Sequence, residues 1–416
     1  MLKLLLAAAL KIKPLLVKLL PRGVLRRVKL LFVNKASMEL VHANPKPFCG
    51  VAYNDGVNLI GPLTSIMGLG QSSRILAKAL EQTGVPLALI NHQPLSVQKF
   101  TDATFADKLT DRPGYNINII HINPHELPFA YLQLGKEVFD SRYNIMFWLW
   151  ESEEFPVEWM PALNLANEVW TPAEFSARAL RKVTDNPVTV IPYHIEVPIE
   201  DKFNRAHFKL PKDKFLLLCS YDSSSLKYRK NPDGAINAYK KAFPLERSDC
   251  ALAVKIGGAP KEEIADLRKS LSAYANVYFI TDYLSKIEMN SLVNCCDAYI
   301  SLHRAEGFGL VLAEAMYLGK PVIATNWSAN TEFMNNENSC LVNYELKPLA
   351  RAIKPFKAGA MWAEADVNQA AGYIRLLYEN SERGAEIGRK AAESIRQELN
   401  LENSTMVIKE RLGEIW

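Results

Sequence analysis

Two carboxylates eight positions apart, Glu306 and Glu314, flank a glycine-rich turn in the run Ser301-Leu-His-Arg-Ala-Glu-Gly-Phe-Gly-Leu-Val-Leu-Ala-Glu-Ala-Met-Tyr-Leu-Gly-Lys-Pro-Val-Ile-Ala-Thr. The pattern reads as a strand end, a turn, a short helix over 311–318 and another strand. It sets the turn at the carboxyl edge of a sheet, where open α/β domains bind ligands. Backbone N–H groups at a helix start suit a phosphate. Eight residues of helix span about 12 Å, too far to chelate one atom but suited to gripping two parts of one elongated ligand. That spacing points to a nucleotide sugar.

Other residues with usable chemistry lie on both sides of this run. Lys255, in Ala-Val-Lys-Ile-Gly-Gly, closes a strand aimed at the same edge, and Arg229 and Lys230 follow the strand that starts the second half. In the first half, Gly61-Pro-Leu-Thr-Ser-Ile-Met-Gly-Leu-Gly-Gln-Ser-Ser-Arg has neither the dinucleotide fingerprint nor the P-loop ending. His121 ends a strand-like stretch and can donate to a sugar hydroxyl or move a proton, with His125 competing for that role. Trp148, Trp150 and Glu151 read either as an acceptor platform or as aromatic core. His194 reads as a hinge or core-edge residue.

Elements of the right kind surround these residues. Short β-rich runs at 50–53, 57–61, 85–91, 115–122, 143–149, 168–171 and 189–191 alternate with helical stretches at 72–82, 161–165 and 173–181. After a polar stretch at 196–214, a second series begins, with strands at 215–219, 251–256, 277–280, 298–301 and 321–324 and helices between them. The chain from Arg351 onward reads as helical. The expected division is a basic segment (1–47), two Rossmann-like α/β domains (48–200 and 201–389) facing across a cleft, and a C-terminal helix (390–416) able to return to the first domain.

With 416 residues, 49% hydrophobic and 23% charged, the chain is globular rather than disordered or fibrous. Residues 1–38 carry nine Lys or Arg and no Asp or Glu, so the remaining 40 basic and 45 acidic groups leave a formal −5 on the body. Nucleic acid is therefore a poor partner for the body. The basic start is too interrupted by charge to span a bilayer or to serve as a secretory signal, and it suits an anionic membrane interface. A docking helix on the chain's own body is the other reading. The spacing of the six cysteines forms neither a zinc site nor a disulfide framework, so they read as reduced core residues.

The Glu-Gly-Phe-Gly-Leu run, Glu314 and the following Gly-Lys-Pro-Val-Ile-Ala-Thr resemble the signature of the GT-B retaining glycosyltransferases of family 4, and the resemblance extends over residues 54–389. It implies the GT-B fold and sugar transfer from a nucleoside diphosphate sugar to a hydroxyl of a glycan or lipid-linked glycan. It places Glu306 against the donor sugar and Glu314 on the ribose. Gly307 and Gly309 let the backbone approach the donor, with Phe308 bracing the turn. Lys230 falls on the family's diphosphate lysine. The arginine position is filled by residues 223–225, so Arg229 substitutes from a different place. Gly68 and Gly70 fall in the glycine loop under the donor phosphates, with Ser72 and Arg74 nearby. His121 corresponds to the histidine near the transferred sugar, and Glu332 to a residue completing the donor pocket. The resemblance implies front-face transfer with no covalent intermediate. The lack of an Asp-x-Asp motif favours a metal-independent reaction with no cofactor. Joined to the basic segment, it implies bacterial surface-polysaccharide or lipopolysaccharide assembly by a peripheral protein on the cytoplasmic face of the membrane. The other readings are a cytoplasmic synthase or phosphorylase of the same architecture, a sugar-nucleotide epimerase of the same fold and a weakly active nucleotide-sugar scaffold.

Overall fold

The computed structural model describes residues 22–92, 101–245 and 249–416; residues 1–21, most of the basic start, lie outside the described residues. Helix α1 (Arg22–Val41) is followed by β1 (Asn54–Gly61), α2 (Gly68–Thr83), β2 (Leu87–Asn91), β3 (Tyr115–Ile120), α3 (Leu127–Leu134), β4 (Tyr143–Phe147), β5 (Glu168–Thr171), α4 (Glu174–Arg181) and β6 (Val188–Val190). The strands form one parallel sheet in the order β2-β1-β3-β4-β5-β6. Burial on both faces explains runs such as Val57–Ile60 and Ile117–Ile120, which are apolar almost throughout. The exceptions are Asn58, Asn118 and Asn144, aligned across β1, β3 and β4 and bonded amide to amide at 2.9 and 2.8 Å. A one-residue slip would bury these amides without partners, so the ladder fixes the register.

The second domain comprises β7 (Phe215–Asp222), α5 (Lys227–Lys230), α6 (Pro232–Ala242), β8 (Cys250–Gly257), α7 (Lys261–Ser270), β9 (Val277–Ile280), α8 (Lys286–Cys295), β10 (Ala298–Ser301), α9 (Leu310–Tyr317), β11 (Val322–Thr325), β12 (Cys340–Val342), β13 (Tyr344–Pro348), β14 (Met361–Ala365), α10 (Val367–Glu379) and α11 (Ser381–Glu398). Its parallel sheet runs β12-β11-β10-β7-β8-β9. Strand order reverses between β1 and β3 in one sheet and between β7 and β10 in the other, and ligands of such sheets bind beyond the carboxyl ends at these points.

Several expectations change. Residues 50–53 form a surface turn, closed by Ala52 N–H donating to the Cys49 carbonyl, rather than a strand. The stretch around 161–165 is a 3₁₀ segment, Val157–Leu165, containing Pro161. The chain after Arg351 is not wholly helical: β13 and β14 form an antiparallel hairpin whose long loop packs Phe356 on Trp150 of the first domain. Helix α11 runs through residue 390 without a break and packs on α9, where Gly388 lies so close to the Gly319 carbonyl that a Cβ would stand 2.0 Å from it. The chain then turns at Asn400 into α12 (Leu401–Ile415), which returns to the first domain and packs on α2. Arg411 there meets the fully buried Glu168 with two bonds of 2.8 Å, and Trp416 Nε1 donates to Asn116 Oδ1 at 3.2 Å. None of the six cysteines is in a disulfide, and four of them are buried.

Candidate functional site

The carboxyl edges of the two sheets face each other across a cavity of about 370 Å³. Met67, Gly68, Ser72, Glu151 and Tyr193 line it from the first domain. Arg229, Lys230, Lys255, Glu306, Gly307, Phe308, Gly309 and Glu314 line it from the second.

The turn after β10 is held from several sides. Glu306 N–H donates to Ser328 Oγ at 2.8 Å, and the Glu306 carbonyl accepts from Ala329 N–H at 3.3 Å. Gly309 caps α9 at φ 94°, a left-handed conformation that disfavours any side chain. A Cβ on Gly307 would stand 3.3 Å from the Trp150 carbonyl, so its bareness lets the two domains meet. Phe308 is buried, edge-on to Tyr193 at 4.8 Å and beside Phe333. The turn therefore sets the start of α9, Leu310 to Leu312, on the cavity wall.

Glu306 is the electrostatic centre. It bonds Lys230 Nζ through Oε1 and faces Arg229 Nη1 through Oε2 at 3.3 Å. Burial alone would raise its pKa, but Lys230 and Arg229 outweigh that and hold it at about 2. Burial lowers the pKa of Arg229, but the carboxylates of Glu151, at 3.5 Å, and Glu306 outweigh it and raise the pKa overall. Arg229 Nη1 also donates to the Ala305 carbonyl at 2.7 Å. The departure noted around 223–225 thus leaves a buried guanidinium beside the same carboxylate. Lys255 is buried at the end of β8, and burial lowers its pKa against the opposing pull of Asp222 and Asp282.

Glu314 is buried on the same cavity, with Lys286 Nζ at 2.5 Å from Oε1. Helix α9 begins only at Leu310, so the eight-residue spacing from Glu306 is half turn and half helix rather than a continuous helical rise.

Three expected residues, His121, Gly70 and Glu332, stand elsewhere than on this cavity's wall. His121 is fully buried; its Nε2 lies 2.5 Å from Ser72 Oγ, which bonds the Tyr193 hydroxyl in turn. Burial lowers its pKa to about 3, so the ring is neutral and reaches the cavity only through the two hydroxyls. Gly70 is a packing glycine, since a Cβ there would meet the Ser65 carbonyl at 2.1 Å, whereas Gly68 opens onto free space. Glu332 caps the first domain instead: its carboxylate accepts from Glu174 N–H at 2.9 Å and Phe175 N–H at 2.7 Å at the start of α4. Arg74 does line the cavity, though its guanidinium is occupied by the Leu63 and Ser65 carbonyls.

Trp148 and Trp150 are core, at 0% and 2% exposed. His194 sits at the core edge beside Ile195, whose N–H donates to the Leu399 carbonyl at the crossing of the chain. Sequence reasoning missed Tyr193, Lys286 and Ser328. Only Lys286 carried a local signal, since the helix expected between the strands at 277–280 and 298–301 starts there, over 286–294. Among the described residues, no group of three His, Cys, Asp or Glu side chains is arranged to hold a metal ion.

Residues 200–394 match the family described as Glycosyl transferases group 1. The serotype-specific mannosyltransferase WbdA of Escherichia coli is 24% identical over 258 residues, covering 55% of this chain and 31% of that protein. The O-antigen biosynthesis glycosyltransferase WclY of the same organism is 31% identical over 122 residues, 29% of this chain and 31% of that one. The chain thus spans about a third of the length of the curated relatives it matches. The structure of Anabaena HepE in complex with UDP and glucose superposes with a TM-score of 0.62 at 16% identity, covering 86% of this chain and all of that one. The double sheet and the interdomain cavity give the chain the two-domain GT-B fold, and the stretch similar to the group 1 glycosyl transferases, residues 200–394, is its second domain with the glutamate motif.

Proposed function

We propose that the protein is a retaining glycosyltransferase that moves a sugar from a nucleoside diphosphate sugar to a hydroxyl of a glycan or lipid-linked glycan. The observation carrying this is the charged Glu306, held between Lys230 and Arg229 in the cavity that also holds Glu314 and the start of α9. Glu314 holds the ribose, and the α9 N–H groups with Lys230 and Arg229 take the diphosphate. As the bond from the sugar C1 to the leaving phosphate oxygen breaks, C1 bonds to the acceptor oxygen on the same face, and the acceptor proton passes to that phosphate. Negative charge grows on the leaving diphosphate during this step, so the fixed cations stabilise the transition state more than the ground state. The Ser72 and Tyr193 hydroxyls, oriented by neutral His121, meet the sugar from the first domain.

The names of the relatives support an acceptor in bacterial surface-polysaccharide assembly. The first described helix supports peripheral attachment to an anionic membrane. α1 packs through Ala36 and Leu40, while Val24, Leu31 (70% exposed) and Met38 (63% exposed) recur every seven residues on the opposite face beside exposed Arg27 and Lys35. Among the described residues no helix is long and apolar enough to cross a membrane.

The test is calorimetric titration with UDP, GDP, dTDP and ADP sugars against the wild type and Glu314→Ala. Saturable binding of one donor, weakened at least tenfold by the substitution, is expected. A folded protein that binds none of them would overturn the transferase reading.

A further inference from the structure

A second cavity, of about 530 Å³, opens from the donor cavity and shares Met67, Leu149, Glu151, Ser225 and Arg229 with it. Its far wall is aromatic and is built by both domains. Trp159, half-buried in the 3₁₀ segment, stacks on exposed His125 at 5.3 Å and meets Trp150 edge-on at 5.0 Å. Phe356, from the loop between β13 and β14, stacks on Trp150 at 5.3 Å and brings Lys354 and Pro355 to the rim.

The loop that carries Phe356 is a shaped element of the second domain. Leu349 N–H and Gly359 N–H close its neck on the Ala360 and Leu349 carbonyls, and Ile353 and Phe356 exchange two backbone bonds at its tip. Lys357 then pairs with Glu154 of the first domain at 2.6 Å. Polar groups alternate with the rings along the cavity. Asn123 offers a buried Oδ1 with no hydrogen-bond partner, and Glu151 stands at the junction with the donor cavity. Flat aromatic faces beside convergent donors and acceptors match a pyranose, which has an apolar C–H face and a polar rim. An apolar ligand would leave Asn123 unsatisfied.

We infer that this second cavity is the acceptor subsite: a sugar ring of the acceptor glycan stacks on Trp159, and its reacting hydroxyl points past Glu151 to the donor. The inference rests on the transferase reading and adds that acceptor choice is set partly from the donor domain, through the β13–β14 loop. The same 3₁₀ segment is bonded to the end of α1, where Asn164 Nδ2 donates to the Val41 carbonyl at 3.0 Å. A membrane-borne acceptor would therefore meet its subsite beside the exposed stripe of α1.

The experiment is saturation-transfer NMR on the full chain with methyl α-mannoside, α-glucoside and α-galactoside as probes, with and without the nucleoside diphosphate that binds. Trp159→Ala, Trp159→Phe and Lys354→Ala are compared with the wild type, and nucleotide affinity in each variant reports that it is folded. The expected result is transfer to one hexoside, strongest at its ring C–H protons. Trp159→Ala abolishes it, Trp159→Phe keeps it, and Lys354→Ala weakens it at least threefold, all with nucleotide affinity within twofold of wild type. Equal transfer in wild type and Trp159→Ala overturns the subsite, as does a wild type that binds nucleotide but no hexoside. If no nucleotide binds, the transferase reading fails, while Trp159-dependent transfer to a hexoside still upholds the cavity as a sugar site.

Discussion

Glu306→Gln keeps the shape of the side chain and removes the charge that Lys230 and Arg229 face, so it separates the electrostatic role of the carboxylate from its packing. Removing one partner of a buried ion pair costs about 3–5 kcal/mol. Here Arg229 keeps Glu151 at 3.5 Å and Lys230 remains 25% exposed, so the cost should sit lower. We expect about 2–3 kcal/mol, close to one charged hydrogen bond. In a domain of this size that lowers the melting temperature by roughly 5–10 °C. Lys230 then loses its competing carboxylate and Arg229 keeps only Glu151, so a diphosphate should bind more tightly, by about tenfold or ~1.4 kcal/mol. Turnover should fall at the same time, because the carboxylate meant to lie against the sugar is gone. Thermal melts with and without UDP or GDP, calorimetry with the same nucleotides, and donor turnover read the three effects. Unchanged nucleotide affinity together with an unchanged melting temperature would refute the claim that Glu306 and the diphosphate share these cations.

Three further outcomes follow from the same contacts. Arg411→Ala leaves the buried Glu168 carboxylate without its cation and should cost about 3–5 kcal/mol in a denaturant melt, undocking α12; a variant within 1 kcal/mol of wild type on this scale would contradict the pairing. Glu332→Ala removes both acceptors at the start of α4, about 1–2 kcal/mol of helix capping that acts only while the domains are closed. Small-angle scattering should then report a larger radius of gyration, and an unchanged one counts against a role in closure. Burial lowers His92, His121 and His194 from 6.5 to about 4, 3 and 4, respectively. Between pH 6.5 and 4 the unfolded chain therefore binds more protons than the folded one, and stability falls as pH drops through that window, by up to ~1.4 kcal/mol per pH unit for each histidine. Urea melts at pH 7.5, 6 and 5 should show this loss, and a flat profile would mean that these rings are not buried in their neutral form.

How much of this was legible in the residues depended on how local each constraint is. The glycine-rich turn, Glu306 and Glu314 could be placed from the sequence because a strand end, a left-handed Gly309 and a helix start fit within a dozen residues, all following from backbone geometry. Both sheets were legible for the same reason, since buried parallel strands are apolar runs of fixed length. Side chains at a domain boundary were not. Glu332 lies a few residues beyond the same motif, yet its carboxylate turns away to cap α4, because two orphan N–H groups of the other domain stand within reach. Gly70 is required by a backbone crossing at Ser65 rather than by a ligand, and spacing alone does not distinguish the two. The aromatic cluster carries the same lesson. Trp148 and Trp150 have the composition of a platform but are buried, Trp150 packed between Trp159 and Phe356. Trp159 reaches the second cavity because Pro161 forces a 3₁₀ segment where a regular helix was expected and Phe356 arrives from nearly 200 residues away. Its place depends on a hairpin loop in the other domain, so a substitution there should alter the acceptor side of the cleft while leaving the donor motif intact.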